Sequence, residues 1–129
     1  MATILIADDE PSIRTFIGRV VESMGHQTVQ AGTGKEALER FHESSVDLSF
    51  VDINMPEMNG IHFLEYVKQI DPKAVVIVMT GFPSAETIVE TIEDNGFTYI
   101  SKPIQMGRLK DLVNRGLEFR KIQLKGSGS

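Results

Sequence analysis

The chain has 129 residues, of which 41% are hydrophobic and 24% are charged, and its formal net charge is −5. This length and composition fit one globular domain with a core large enough to fold without crosslinks. The excess of acids argues against direct nucleic-acid binding, and the absence of cysteine excludes disulfides, zinc–thiolate sites and thiol nucleophiles. No apolar run approaches the roughly 18 residues of a membrane span and no signal peptide is visible, so we expect a cytoplasmic domain without membrane contact.

The first half of the chain predicts two strand–helix pairs. Residues 3–7 form a short continuous apolar run, which is typical of a strand covered on both faces. Pro11 suits the first turn of a helix, and apolar residues then recur at helical spacing as far as Gly25. A weaker strand is predicted at 27–31 and a second helix at 34–43.

The same unit repeats three more times in the second half. The predicted strands are 48–51, 74–79 and 97–101, and the predicted helices are 61–70, 84–95 and 106–117. The strand at 74–79 is the most hydrophobic, so we expect it at the centre of the sheet. Five strands alternating with five helices predict an α/β fold, in which helices cover both faces of a parallel sheet.

Polar side chains fall where the predicted strands end. The first strand is followed by Asp8 and Asp9, the third ends at Asp52, the fourth at Thr80 and the fifth at Lys102. The carboxyl ends of parallel strands share one edge of a sheet, where open α/β folds bind ligands. We therefore expect three carboxylates, a hydroxyl and an ammonium group to converge at that edge.

This set of groups favours one kind of chemistry. Three carboxylates in one pocket repel each other unless a cation intervenes, and oxygen ligands without histidine or cysteine favour Mg2+. A carboxylate beside Mg2+ and a lysine stays ionised and can act as a nucleophile. The metal, the lysine and the hydroxyl match the oxygens of a transferring phosphoryl group. The residues themselves therefore predict an aspartate that accepts phosphate.

The strand-end residues and their neighbours resemble one known family. In chain order the motifs are Asp8-Asp9, Asp52 followed by Met55-Pro56 and Gly60, Thr80-Gly81, and Tyr99 ahead of Lys102-Pro103. Together they are similar to the receiver domain of two-component response regulators, over about residues 3–118. The resemblance implies a flavodoxin-like three-layer sandwich, doubly wound with five helices around a five-stranded parallel sheet of order 2-1-3-4-5.

The resemblance also implies a role for each residue of the pocket. Asp52 is the expected phospho-acceptor, and Lys102 pairs first with Asp52 and then with a phosphoryl oxygen. Asp9 is expected to bind Mg2+ directly and Asp8 mostly through water. Asp52 and the backbone carbonyl of Asn54 complete the expected metal shell.

Three further residues are implied in conformational switching. Thr80 hydrogen-bonds the phosphoryl group and shifts toward it, and Tyr99 moves inward into the space that Thr80 leaves. Pro103 matches the residue whose preceding peptide bond is usually cis.

The implied function is signalling. A sensor histidine kinase, or a phosphotransfer protein of a phosphorelay, is expected to phosphorylate Asp52. The domain then catalyses its own phosphotransfer and slow dephosphorylation, and is not an enzyme with other substrates. The expected response is a change on the face formed by the fourth helix, the fifth strand and the fifth helix, which controls an output domain or partner or joins two copies into a homodimer.

Other interpretations of the same residues stay open. Asp8, Asp9 and Glu10 would also suit the first turn of a helix, where the macrodipole favours acids. Tyr99 would also suit an ordinary core or surface position. A phosphohydrolase that uses Mg2+ and an aspartyl phosphate would need a general acid where this chain has Asn54, which cannot protonate a leaving group. A flavin-binding domain shares the topology, but the chain lacks a Gly-rich phosphate loop after the first strand.

We place the receiver domain at residues 1–119. Residues 120–129 are then an extension of the last helix, with apolar residues among Arg120, Lys121 and Lys125, and a flexible Gly/Ser tail that is a linker or an expression scar. The extension is expected to lead toward an effector domain or a dimer contact, or to be a frayed amphipathic tail.

Overall fold

A computed structural model describes residues 1–81 and 96–126 of the chain. Five strands and four helices lie within these residues: β1 (Thr3–Ala7), α1 (Pro11–Ser23), β2 (Gln27–Ala31), α2 (Gly34–Glu43), β3 (Leu48–Asp52), α3 (Gly60–Ile70), β4 (Val76–Thr80), β5 (Phe97–Ser101) and α4 (Met106–Gly126). The helix predicted at 84–95 lies outside the described residues, and the helix predicted from residue 106 is α4.

The strands form one parallel sheet in the order β2-β1-β3-β4-β5. This order confirms the doubly wound α/β sheet that the sequence predicted. The centre of the sheet is β3, however, so the expectation that the strand at 74–79 is central is wrong by one position. All five residues of β3 and all five of β4 are buried. The hydrophobicity of a strand indicates that both of its faces are buried. Because this is true of both β3 and β4, hydrophobicity does not show which of them is at the centre.

Apolar side chains form two cores, one on each face of the sheet. In β1, Ile4 points to the face covered by α1 and α4, whereas Leu5 points to the face covered by α2 and α3. The largest fully buried side chains include Phe50 in the first core and Phe63 in the second. Because helices cover both faces, the inner strands are apolar at successive positions and do not alternate with polar residues.

Capping residues fix the helices that begin near the carboxyl edge of the sheet. The hydroxyl of Thr33 caps α2 by accepting a hydrogen bond from the Glu36 N–H at 3.0 Å. The side chain of Asn59 caps α3 by accepting one from the His62 N–H at 2.9 Å. These caps satisfy backbone donors that a helix leaves unpaired, so they hold the loops around that edge in place.

Helix α4 continues to Gly126, beyond the predicted end at residue 117. An ion pair between Arg120 Nη1 and Asp71 Oδ2, at 2.8 Å, joins this last part of the helix to the segment after α3. Ile122 and Leu124, farther along, are exposed. Neither α4 nor any other helix of the described residues has a long enough apolar stretch to span a membrane.

Candidate functional site

The carboxyl edge of the sheet brings together the residues expected there. Asp8 directly follows β1 and is fully buried, and Asp52 is the last residue of β3 and only 5% exposed. Thr80 ends β4 and is buried, and Lys102 follows β5. Since the strands are parallel and in register, these four positions lie side by side at one edge.

Lys102 connects the two buried acids. Its Nζ lies 2.8 Å from Asp8 Oδ2 and 3.2 Å from Asp52 Oδ2, and its side chain is 16% exposed. The backbone N–H of Lys102 donates to the Thr80 carbonyl at 2.7 Å, which fixes the start of the segment after β5. One ammonium group therefore serves two carboxylates, and a site with an excess of negative charge remains.

The other oxygen of each acid accepts a hydrogen bond from the backbone. The Glu10 N–H donates to Asp8 Oδ1 at 2.9 Å, and the Asn54 N–H donates to Asp52 Oδ1 at 3.1 Å. Asp8 Oδ2 is buried, and apart from its ionic contact with Lys102 it accepts no well-aligned hydrogen bond from the described residues. A buried carboxylate oxygen in this position is suited to a second cation.

The surroundings shift the pKa of both partners. Burial raises the pKa of Asp52 above its usual value, and the charge of Asp8 adds to this, while the Asn54 N–H and the Lys102 ammonium act in the opposite direction without cancelling it. For Lys102, burial alone would lower the pKa, but the close contact with Asp8 and the charges of both carboxylates outweigh it, so the pKa is raised. The lysine therefore stays charged, whereas the charge of the buried Asp52 carboxylate is not fully compensated.

The donor set beside Lys102 fits a hard divalent cation. Carboxylate oxygens of Asp8, Asp9 and Glu10 lie within 4.8 Å of one another, and Asp8 is buried while the other two are exposed. Oxygen-only ligands with open sides suit Mg2+, which keeps several of its waters. Asp52 is outside this group of three and is joined to Asp8 through Lys102.

Close backbone packing holds the loop between β3 and α3. The Gly60 N–H donates to the Ile53 carbonyl at 3.1 Å, and a Cβ on Gly60 would lie 2.7 Å from the Asp52 carbonyl oxygen. On the other side, the Gly34 N–H donates to the Pro56 carbonyl at 3.2 Å. This packing fixes the loop that carries Asn54, whose side chain is exposed.

The residues expected to switch lie on or beside β5. Tyr99 is half-buried and pairs with Val78 in the sheet, two residues before the level of Thr80. Its ring packs edge-on against that of Phe97, with centroids 5.0 Å apart. The peptide bond between Lys102 and Pro103 is cis. The structure thus gathers Asp8, Asp52 and Lys102 into direct contact and places Tyr99 beside Phe97.

Sequence reasoning missed two participants, Arg14 and Glu10, and the relative lengths of two contacts. Arg14 Nη1 donates to the Asp8 carbonyl at 2.6 Å, although the position of Arg14 in a helical pattern gives no sign of this contact. Glu10 belongs to the acidic cluster with Asp8 and Asp9, although the sequence pattern indicates only an acid in the first turn of a helix. The contact between Lys102 and Asp8 is shorter than the contact with Asp52 that the resemblance implied.

A family model, described as "Response regulator receiver domain", matches residues 4–114. The chain therefore belongs to this family. Receiver domains are signalling domains of two-component response regulators and are phosphorylated on an aspartate.

Two curated relatives differ in how much of their length the chain covers. Sporulation initiation phosphotransferase F of Bacillus subtilis is 34% identical over 117 residues, which are 91% of this chain and 94% of that protein. Regulatory protein AtoC of Escherichia coli is 33% identical over 120 residues, which are 93% of this chain but 26% of AtoC. The chain thus spans about a quarter of the length of AtoC and nearly all of the shorter relative.

Solved structures agree with this assignment. A response regulator receiver domain protein from Clostridium thermocellum superposes with a TM-score of 0.83 at 29% identity, over 95% of this chain and 99% of that one. NtrX from Brucella abortus superposes with a TM-score of 0.85 at 30% identity, over 98% of this chain and 29% of that one.

Proposed function

We propose that this chain accepts a phosphoryl group on Asp52, in the presence of Mg2+, from a sensor histidine kinase or a phosphotransfer protein in the cytoplasm. The single observation that carries the proposal is the position of Asp52. It is the only acid that ends a strand of the described sheet, it is nearly buried, and the Lys102 ammonium lies 3.2 Å from its Oδ2. A nucleophile and a fixed positive charge thus stand together at the ligand-binding edge.

Transfer from a phosphohistidine requires an in-line exchange of bonds. An Asp52 carboxylate oxygen forms a bond to phosphorus as the bond from phosphorus to the histidine nitrogen breaks, and that nitrogen keeps the electron pair. Lys102 already contacts Asp52 Oδ2, so its ammonium group is placed to pair with an oxygen of the phosphoryl group that Asp52 accepts. Thr80, at the end of the neighbouring strand, would donate its hydroxyl hydrogen to another oxygen.

Residues of the acidic cluster would hold the metal. Asp9 would bind it directly, Asp8 mostly through water, and Asp52 and the Asn54 carbonyl would complete the set. Mg2+ bound there supplies positive charge to the phosphoryl oxygens. Asp8 also keeps Lys102 in the pocket, since their ion pair is the shortest ionic contact of the site.

Switching would follow from the movement of Thr80 toward the phosphoryl group. Tyr99 would then move inward, with Pro103 shaping the segment after β5. The surface made of the predicted fourth helix, β5 and α4 would control an output domain or a partner, or join two copies of the chain. The helix predicted at 84–95 is outside the described residues, so this step rests on the family resemblance.

Residues 1–119 are proposed as the receiver and residues 120–129 as an extension with a flexible tail. The continuation of α4 to Gly126 supports a helical extension, and residues 127–129 lie outside the described part. Two observations argue against a phosphohydrolase. The chain matches the receiver family, and Asn54 stands where such an enzyme needs a general acid that can protonate the leaving group.

Phosphorylation with acetyl phosphate and MgCl2, followed by intact-mass and peptide mass spectrometry, tests the proposal. We expect one added phosphoryl group, located on Asp52, and none in Asp52→Asn. Asp111→Asn is the matched control, because Asp111 is a half-exposed acid on α4 paired with Arg115. Phosphorylation of Asp52→Asn at the wild-type level would contradict the assignment, and rapid turnover of a phosphomonoester would favour the hydrolase instead.

A further inference from the structure

Arg14 makes a short polar contact with the acidic turn from a different element. It lies on α1, its side chain is half-buried, and its Nη1 donates to the Asp8 carbonyl oxygen at 2.6 Å. The Arg14 guanidinium lies against Gly32, and a Cβ at Gly32 would be only 3.3 Å from Arg14 Nη1. The turn between β2 and α2 therefore leaves just enough room for this contact.

The hydrogen bond from Arg14 fixes the peptide group that joins Asp8 to Asp9. The carbonyl of Asp8 and the N–H of Asp9 belong to one planar peptide unit, so holding the oxygen sets the direction in which Asp9 leaves the strand. The preceding peptide is held as well, because the Asp8 N–H donates to the Ala31 carbonyl at 3.1 Å. Next along the chain, the Glu10 N–H donates to Asp8 Oδ1. Arg14 thus completes the support of the turn from Asp8 to Glu10.

We propose that Arg14 is a positioning residue for the metal-binding acids, an inference that rests on the proposed function. It does not reach the metal or the phosphoryl group. It orients the Asp8–Asp9 peptide group so that the exposed carboxylates of Asp9 and Glu10 stay within 4.8 Å of the buried Asp8 carboxylate. Loss of a partner that orients a metal ligand typically weakens metal binding by roughly 10- to 100-fold.

Two physical effects of Arg14 on Mg2+ have opposite signs. The guanidinium is a positive charge near the cluster, so its removal alone would strengthen binding of a cation. The hydrogen bond to the Asp8 carbonyl orders the ligands, so its removal would weaken binding. The direction of the change in affinity therefore separates positioning from simple charge repulsion.

Mg2+ affinity of the whole chain, measured by calorimetric titration with MgCl2, tests the proposal. Arg14→Met keeps the apolar stem of the side chain but can neither donate a hydrogen bond nor carry charge, and we expect about tenfold weaker binding. Arg14→Lys keeps the charge and one donor and should bind with intermediate affinity. Arg19→Met is the matched control, because Arg19 is an exposed residue on the same helix. It should bind Mg2+ as tightly as the wild type or slightly more tightly.

A second measurement uses the metal-free protein. Backbone amide chemical shifts of Asp8, Asp9 and Glu10 should move in Arg14→Met and stay in place in Arg19→Met. Urea denaturation of each variant identifies the conditions in which it is folded. If Arg14→Met does not fold, the Mg2+ affinity and amide chemical shifts are measured on Arg14→Lys instead.

Several outcomes would overturn the inference. Binding of Mg2+ by Arg14→Met at or above the wild-type affinity would show that charge alone matters. An equal loss of Mg2+ affinity in Arg19→Met would show that the effect does not come from the hydrogen bond to the Asp8 carbonyl. If wild type binds no Mg2+, both this inference and the metal part of the proposed function fail, whereas phosphorylation on Asp52 is tested separately by mass spectrometry.

Discussion

The two edges of the sheet each hold ionic groups that are largely shielded from solvent, but these groups are compensated in different ways. At the carboxyl edge, Lys102 serves both Asp8 and Asp52. At the amino edge, Arg120 pairs with Asp71 at 2.8 Å, with side chains that are 14% and 29% exposed. Acids outnumber the single ammonium group that they share at the first edge, whereas at the second edge Lys68 lies near the pair of Arg120 and Asp71.

At the amino edge, backbone oxygens accept hydrogen bonds from the Lys68 ammonium group. Lys68 Nζ donates to the Ala74 carbonyl at 2.6 Å and to the Pro72 carbonyl at 3.3 Å. Burial lowers the pKa of Lys68, the charge of Arg120 adds to this, and Asp71 opposes it. At the carboxyl edge, the described residues give each of the two buried acids one backbone N–H donor and a share of the Lys102 ammonium group. The amino edge is therefore held by contacts within the chain, whereas the carboxyl edge carries the acids that we propose to hold Mg2+.

The largest effect should come from Lys102→Met, which removes the cation shared by Asp8 and Asp52. Breaking one side of a buried ion pair typically costs several kcal/mol, and we expect a loss of about 3 kcal/mol in the free energy of unfolding without Mg2+. Urea denaturation in a chelating buffer measures it. MgCl2 should restore part of the loss, because the ion binds only the folded state.

Lys110→Met is the control, since Lys110 is an exposed residue of α4. An equal effect of the two substitutions, or a loss in Lys102→Met that MgCl2 leaves unchanged, would remove the contrast between the edges.

A smaller effect is expected at the amino edge from Arg120→Met. It breaks a charge-assisted hydrogen bond to Asp71, and we expect a loss of about 1.5 kcal/mol that does not depend on Mg2+. Arg115→Met provides the comparison, because Arg115 and Asp111 are both about half exposed, and such pairs contribute less than about 0.5 kcal/mol. Urea denaturation with and without MgCl2 distinguishes the cases. A change in Mg2+ affinity in Arg120→Met would mean that the two edges are coupled.

The smallest effect should be the pH dependence of Asp52→Asn. The pKa of Asp52 in the folded state is raised from its usual value of 3.8, so its favourable contribution is present below 3.8 and is lost as the pH rises through the folded-state pKa. At neutral pH without metal, the ionised carboxylate therefore destabilises the fold, and Asp52→Asn should be more stable than wild type.

This gain should shrink as the pH falls through the folded-state pKa of Asp52 and vanish below about 3.8. Urea denaturation at a series of pH values, in a chelating buffer, measures it. A gain that persists at acid pH would mean that packing, and not charge, distinguishes the two side chains.

The sequence was sufficient to predict the strands and the edge at which the polar residues meet. A parallel strand that is covered on both faces is apolar along its length, so its end is marked by the first polar residue after it, as at Asp8. The strand order came from the family resemblance, since periodicity along one chain carries no information on which strands are neighbours.

Contacts between side chains from separate elements could not be predicted. The preference of Lys102 for Asp8 over Asp52 depends on distances of a few tenths of an ångström. The reach of Arg14 depends on how α1 crosses the turn at Gly32.

The burial of β3 also determines how often the backbone near the acceptor opens. Amides in a fully buried central strand exchange with solvent mainly through global unfolding, whereas exposed loop amides exchange through local opening. Asp52 closes that strand, and Asn54 begins the exposed loop only two residues later. Hydrogen exchange should therefore be slowest along β3 and become faster in the loop that follows Asp52. The proposed phospho-acceptor thus belongs to the part of the chain that opens least often, and the exposed loop beside it is held by its own backbone hydrogen bonds.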